Sequence, residues 1–184
     1  LEIIINDINR AYSGETLKKE EYTSYELALD NRDALNGDTY KNAEDYYKSV
    51  FEKAGGSIAF YPDKSGAVPT AEMYHREVSE ISVQSVKDFC KKHGITENVF
   101  FIAAFGLTLG KYNFKENAVF TTIYHGRNDS RLSDTVGMLV KTLPVYCDFS
   151  GQTQEYLADV QQQLMDSMNN DIYPFSQISR EFNI

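Results

Sequence analysis

The chain has no tryptophan, two cysteines, three histidines and four prolines among 184 residues. Each shortage excludes something. Two cysteines without a Cys-x-x-Cys pair exclude a disulfide framework and a cysteine-based zinc site. The histidines, His75, His93 and His125, share no metal-ligand spacing with one another, and no His-x-x-x-His pair occurs. Basic residues are also short: 18 Lys and Arg stand against 27 Asp and Glu, a net charge of −9. That balance argues against a nucleic-acid binder, because phosphate contacts need clustered cations. No run approaches the roughly 20 apolar residues of a membrane span; the longest, Val99 to Leu109, is broken by Gly106 and Thr108. Gly-x-Ser-x-Gly elbows and phosphate-cradling glycine loops are missing as well.

What is present is ordinary globular chain: 42% hydrophobic and 24% charged residues. A chain of this length buries roughly 70% of its unfolded surface, enough for a real core. Leu1, Ile4, Ile5, Ile8, Ala11 and Tyr12 recur at helical spacing, with Gly14 as the stop. A helix starting at residue 1 with no cap before it reads as the start of a fragment. Residues 22–31 and 41–54 read as helices, with Gly55 and Gly56 ending the second and a loop running to Pro69. Residues 71–78 read as a weak strand. Ser82 caps a helix whose last turn holds Lys91, Lys92 and His93, ended by Gly94. Thr96 caps the next, 97–112, which is apolar on nearly every side and so reads as buried on most faces. Ala118–Tyr124 and Met138–Phe149 read as strands, Pro144 marking an edge or a bulge. Thr153 opens a last amphipathic helix. Strands and helices together predict an α/β layered domain.

The chemistry-bearing residues leave alternatives open. His93 reads as a helix-end cation and His75 as a surface residue. His125 follows a strand and precedes Gly126-Arg127-Asn128, a place where α/β folds carry function, though a plain turn histidine explains it equally well. Glu20-Glu21 and Glu44-Asp45 read as solvated carboxylates. Cys90 and Cys147 read as buried structural thiols.

The order of several segments carries more. Leu1–Gly14 is similar to the helix after an active-site His-His-x-x-x-Asp-Gly segment. Tyr22-Thr23-Ser24-Tyr25 resembles a Tyr-x-Asp-Tyr motif, with Ser24 at the Asp position. Thr96-x-Asn98 with the Phe/Ala/Leu helix, Gly126-Arg127, Val136-Gly137-Met138-Leu139-Val140-Lys141-Thr142-Leu143-Pro144-Val145 and Asn170-Asp171-Ile172-Tyr173-Pro174-Phe175 follow in sequence. Together these resemble the condensation domains of nonribosomal peptide synthetases, over nearly the whole chain. Lys141 stands where the family has Asn, and Asn170 where it has His.

The resemblance implies that residues 1–184 are the C-terminal subdomain, one chloramphenicol-acetyltransferase-like lobe with a mixed sheet packed by helices. The N-terminal lobe is expected outside the chain, as is the His-His-x-x-x-Asp-Gly segment, which this sequence does not contain. It further implies acyl transfer: an amine on one carrier protein attacks a thioester on another, each held by a phosphopantetheine arm and with no cofactor bound covalently to the lobe. Partners would be the N-terminal lobe, peptidyl or aminoacyl carrier proteins and a downstream adenylation domain, with a cytoplasmic location and no metal. Tyr124, His125, Gly126, Arg127, Asn128, Gly137, Lys141, Thr142 and Pro144 are the expected tunnel or lobe-interface residues, and no catalytic residue is expected within the chain. Arg127 would pair a carboxylate at the seam, or bridge Asp129 or Asp134 within its own loop. Gly126 and Gly137 read as backbone devices. Lys141 would face the seam or water. Two other readings stand beside this one: a non-catalytic lobe for docking or carrier binding, and a coenzyme A-dependent acyltransferase of the same superfamily.

Overall fold

The computed structural model describes residues 1–54 and 72–182. Seven helices and two strands follow one another: α1 (Glu2–Tyr12), α2 (Ser24–Ala34), α3 (Asp38–Ala54), α4 (Val83–His93), α5 (Glu97–Tyr112), β1 (Asn117–Tyr124), β2 (Lys141–Asp148), α6 (Thr153–Asn169) and α7 (Phe175–Phe182). A 3-10 turn, Ser130–Leu132, sits in the loop between the strands. Local chemistry accounts for the boundaries. The Ser82 and Thr96 hydroxyls accept the Ser85 and Val99 N–H groups at 3.0 and 3.2 Å, satisfying donors that an open helix end leaves bare. Thr23 and Glu26 form a reciprocal capping box at α2. Gly94 ends α4 in the left-handed region at φ +66°.

β1 and β2 pair antiparallel, from Asn117 opposite Asp148 to Tyr124 opposite Lys141. The register is unbroken through Pro144, which lies opposite Thr121. The proline therefore marks an edge and not a bulge. Two residues on, the Tyr146 N–H turns away from β1 to the Gln163 side chain at 3.0 Å. By the two-residue repeat, the donor that Pro144 lacks lies on that outer side, where β1 does not need it.

Alternation along the ribbon gives it two buried faces. Ala118, Val145 and Cys147 enter one core with Val99, Ile102 and Ala103 of α5 and Leu157, Val160 and Leu164 of α6. Val119 enters a second core with Ala43, Tyr47 and Phe51 of α3, Tyr173, and Ile178 of α7. The hairpin is thus a thin middle layer between α4–α5–α6 and α3–α7. Close approach of α5 depends on Gly106: a Cβ there would sit 2.5 Å from Cys147 Sγ and 2.9 Å from its Cβ. Both cysteines are buried and free. Burial pushes the Cys147 thiol up to about 11.

Several sequence expectations change. Residues 72–78 form no strand and are exposed throughout; Met73, Tyr74 and Val78 find no apolar layer to face, and residue 71 lies outside the described residues. The expected stop at Gly55-Gly56 and the loop to Pro69 lie outside them too. α5 is not buried on most sides: Phe101, Ala104, Phe105 and Leu107 are exposed, because the hairpin and α6 cover one face alone. The second strand begins at Lys141, leaving Met138 and Val140 exposed in the loop. α7 was not anticipated, although Phe175, Ile178 and Phe182 have the spacing of one helical face. α1 forms where its periodicity predicts it, yet none of its residues is buried.

Replacing Gly106 by Val should overpack the α5–hairpin contact and cost about 1–3 kcal/mol. Urea unfolding of the protein checks this, and an unchanged midpoint would show that α5 can retreat freely from Cys147.

Candidate functional site

The expected site residues gather at one end of the hairpin and in the loop that follows β1. Tyr124 pairs with Lys141 and Ile123 with Thr142 at the loop end, with Pro144 further along β2. Tyr124 and Pro144 are buried, Lys141 and Thr142 half-buried, and His125 and Asn128 exposed. The Tyr124 hydroxyl is enclosed beside the Asn128 backbone without completing a hydrogen bond. Burial is the main cause that raises its pKa above that of an ordinary phenol.

Gly126 turns the chain out of β1. Its φ is +70°, and a Cβ there would overlap the Leu139 carbonyl oxygen, so the position requires glycine. The next two residues lock the loop. The Arg127 N–H donates to His125 Nδ1 at 3.0 Å, which makes that nitrogen an acceptor and leaves the proton of the neutral ring on Nε2. The Arg127 guanidinium donates to the Leu132 carbonyl, and both Nη atoms donate to the Thr135 carbonyl at 3.1 Å. Arg127 therefore serves its own loop through carbonyls and bridges neither Asp129 nor Asp134. Asp129 is taken by Arg131: its carboxylate accepts the Arg131 N–H at 2.9 Å and the guanidinium at 2.8 and 2.6 Å. Those bonds hold the Asp129 carboxyl below the usual carboxylate range.

The tertiary structure adds a segment that spacing did not assign to this place. Residues 20–24 lie against the loop. Thr135 Oγ1, fully buried, donates to the Tyr22 carbonyl at 2.6 Å. The Arg131 guanidinium lies over the Tyr22 ring, 4.5 Å from its centre, and also reaches Asp30 at 3.2 Å. Tyr22 donates to the same Asp30 carboxylate at 2.6 Å. Glu20 is not merely solvated: its carboxylate accepts the Val136 N–H at 2.8 Å. Gly137 faces Ser24, whose Cβ would lie 3.2 Å from one added at the glycine. A cleft of about 860 Å³ opens between α1, residues 18–22 and residues 130–136. Lys141, Thr142 and Pro144 line no part of it.

On the other side of the hairpin, Lys141 reaches neither water nor a seam freely. Its ammonium pairs with Asp171 Oδ1 at 2.9 Å and donates to the Asp171 carbonyl at 3.1 Å. Asn170 Nδ2 donates to the Asp166 carbonyl at 2.8 Å, at the end of α6. Asp171 was not singled out from the sequence; the signal available was a lysine at an otherwise β-rich strand start facing an acidic turn. His93 lies against Phe89, ring centres 4.3 Å apart, on the far side from His125. Among the described residues no three His, Cys, Asp or Glu side chains are placed to hold a metal ion, and no helix is long and apolar enough to cross a membrane.

An α/β lobe with this arrangement has close counterparts in fold. The structure of SgcC5 from Streptomyces globisporus, crystallised with (R)-(-)-1-(2-naphthyl)-1,2-ethanediol and sucrose, superposes with a TM-score of 0.79 at 21% identity, over 99% of this chain and 43% of that one. The X-domain in its complex with OxyB from teicoplanin biosynthesis gives 0.73 at 15% identity, over 100% and 44%. The condensation-domain family matches residues 1–184, and the chain belongs to that family. A curated relative, the nonribosomal peptide synthetase sidC of Arthroderma benhamiae, is 26% identical over 180 residues, 97% of this chain. The chain spans 3% of that relative's length.

Replacing Arg127 by Met should free residues 129–137, since two buried-side carbonyls lose a charged donor, a loss of about 1.5–3 kcal/mol. Hydrogen exchange across 129–137 reads it. Lysine at 127 should restore little, because an ammonium cannot fork between two carbonyls; equal protection in wild type and the methionine variant would refute the assignment.

Proposed function

We propose that this chain is the downstream lobe of a condensation domain that forms peptide bonds in nonribosomal synthesis. The observation that carries the reading is the family match across the whole chain combined with the chain's span of 43% of the SgcC5 structure. Within such a domain the amine of an acceptor carrier-protein substrate attacks the thioester of a donor. The sulfur of the donor arm leaves as a thiol and an amide forms. The groups that handle the amine proton lie in the His-His-x-x-x-Asp-Gly segment, outside these residues; the three histidines here stand singly in the sequence. The lobe's contribution is geometric. The ribbon end with Tyr124–Asn128 and Thr142 forms wall, with Lys141 holding that end in place, and two helix faces form seam. Holding two arms in line accounts for much of the catalysis in such a reaction.

Bare apolar surface supports the seam. Ile4, Ile5 and Ile8 of α1 are exposed, as are Phe101 and Phe105 of α5 and Met138 and Val140 of the loop. A monomer seldom leaves so many large apolar side chains uncovered on regular elements. α1 in particular has an apolar stripe none of whose residues is buried among the described residues.

A second reading has its own support. Lys141 and Asn170, two of the three departures from the family pattern, are both engaged inside the lobe. A fold of this kind also sits in a complex between the X-domain and OxyB. A binding lobe without chemistry fits these facts.

The test separates the two. Peptide mapping of the natural protein should place His-His-x-x-x-Asp-Gly immediately before Leu1. The 184-residue chain by itself should form no amide from loaded donor and acceptor carrier proteins, while the protein that includes the preceding lobe does. Turnover by the chain alone would overturn the placement of the catalytic groups, and histidines replaced in the preceding segment would decide for the binding lobe.

A further inference from the structure

We propose that Lys141 is a positioning residue: its ammonium latches the turn between α6 and α7 onto the first residue of β2, and it is not a group that meets substrate or a partner. The inference stands on the geometry of the turn and holds whether or not the parent domain makes amide bonds.

Lys141 grips Asp171 at two points, the carboxylate at 2.9 Å and the backbone carbonyl at 3.1 Å. A bond to the carbonyl fixes main chain, which an ion pair between two side chains does not. Both side chains are partly withdrawn from water, 34% and 23% exposed, so the pair is screened less than a surface pair. The turn is tied at its ends by its own neighbours. Asn170 holds the end of α6, and the Pro174 carbonyl accepts the Gln177 N–H at 2.9 Å as α7 begins. Its middle is what Lys141 secures to the ribbon.

The turn carries load. Tyr173 leaves it to enter the α3–α7 core, with its ring 5.1 Å from that of Tyr40 and 6.2 Å from that of Tyr47. Its hydroxyl donates to Glu181 of α7 at 2.7 Å. Glu181 in turn lies 3.7 Å from Lys48 of α3, which pairs with Glu44 at 2.5 Å. A continuous polar and aromatic chain thus runs from the loop end of the ribbon, through the turn and α7, to α3. Lys141 stands at its ribbon end, directly opposite Tyr124. An Asn at 141 is too short to reach both Asp171 atoms, so the lysine and the acidic turn act as a matched pair.

The test uses the natural protein that carries this chain. Hydrogen exchange across 170–182 should rise about threefold or more in Lys141→Met and in Asp171→Asn. The double variant should show no further rise, since the two remove one interaction. Lys141→Arg should retain most of the protection. Acylation with an amine-reactive ester gives a second reading, of how firmly the ammonium is held: Lys141 should react about fivefold more slowly than exposed Lys115 in the wild type, and Asp171→Asn should close that gap. Additive effects of the two substitutions, a methionine variant as protected as the arginine one, or Lys141 and Lys115 reacting alike in the wild type would each overturn the proposal.

Discussion

A two-stranded ribbon is marginal in water by itself, and the chain is organised around covering one. β1 and β2 bring two apolar faces and a single shared ladder, too little to stand alone. Stability comes from burying both faces: α5 and α6 on the side of Ala118, Val145 and Cys147, α3 and α7 on the side of Val119. Gly106 lets one of those layers come within contact distance. The outer edge of β2 is closed in the same spirit. Gln163 of α6 takes the outward Tyr146 N–H, and the edge position of Pro144 removes a donor that would have needed a partner.

The same constraint explains the loop between the strands. Sixteen residues, 125–140, separate the two strands, far longer than a hairpin turn needs. Such a loop keeps one shape when its carbonyls are satisfied from inside. Arg127 supplies that through Leu132 and Thr135, while Thr135 and Val136 tie the loop back to residues 20–22. The cations of this region therefore serve geometry first. Arg131 is likewise spent between Asp129, Asp30 and the face of Tyr22. A loop held this way keeps one shape at that end of the ribbon, its charged groups engaged in hydrogen bonds and ion pairs.

Apolar side chains also stay bare on two helices. α1 has the periodicity of a helix that packs, but among the described residues none of its side chains is buried. α5 buries one stripe and leaves Phe101 and Phe105 in the open. Helices of this composition are made to be covered on more than one side.

Periodicity and local chemistry were enough to reveal every described helix but α7, from the amphipathic start at Leu1 to the caps at Ser82 and Thr96, because each is settled within about one turn of chain. The family resemblance was legible for the same reason, its motifs being short and ordered. Residues 72–78 looked like a strand because Tyr and Val favour one, but a strand needs a neighbour and a face to bury, which composition cannot supply. The partners of Arg127, Glu20 and Lys141 were illegible too. Those contacts span from five residues to 116 in sequence, and the chain had to fold before Glu20 could meet Val136 or Lys141 could meet Asp171. Sequence by itself determined where most of the helices start and stop and where the chain must turn, since those are local free energies. Tertiary structure alone decided which faces stay bare and which charges are already spent, since both depend on what lies opposite.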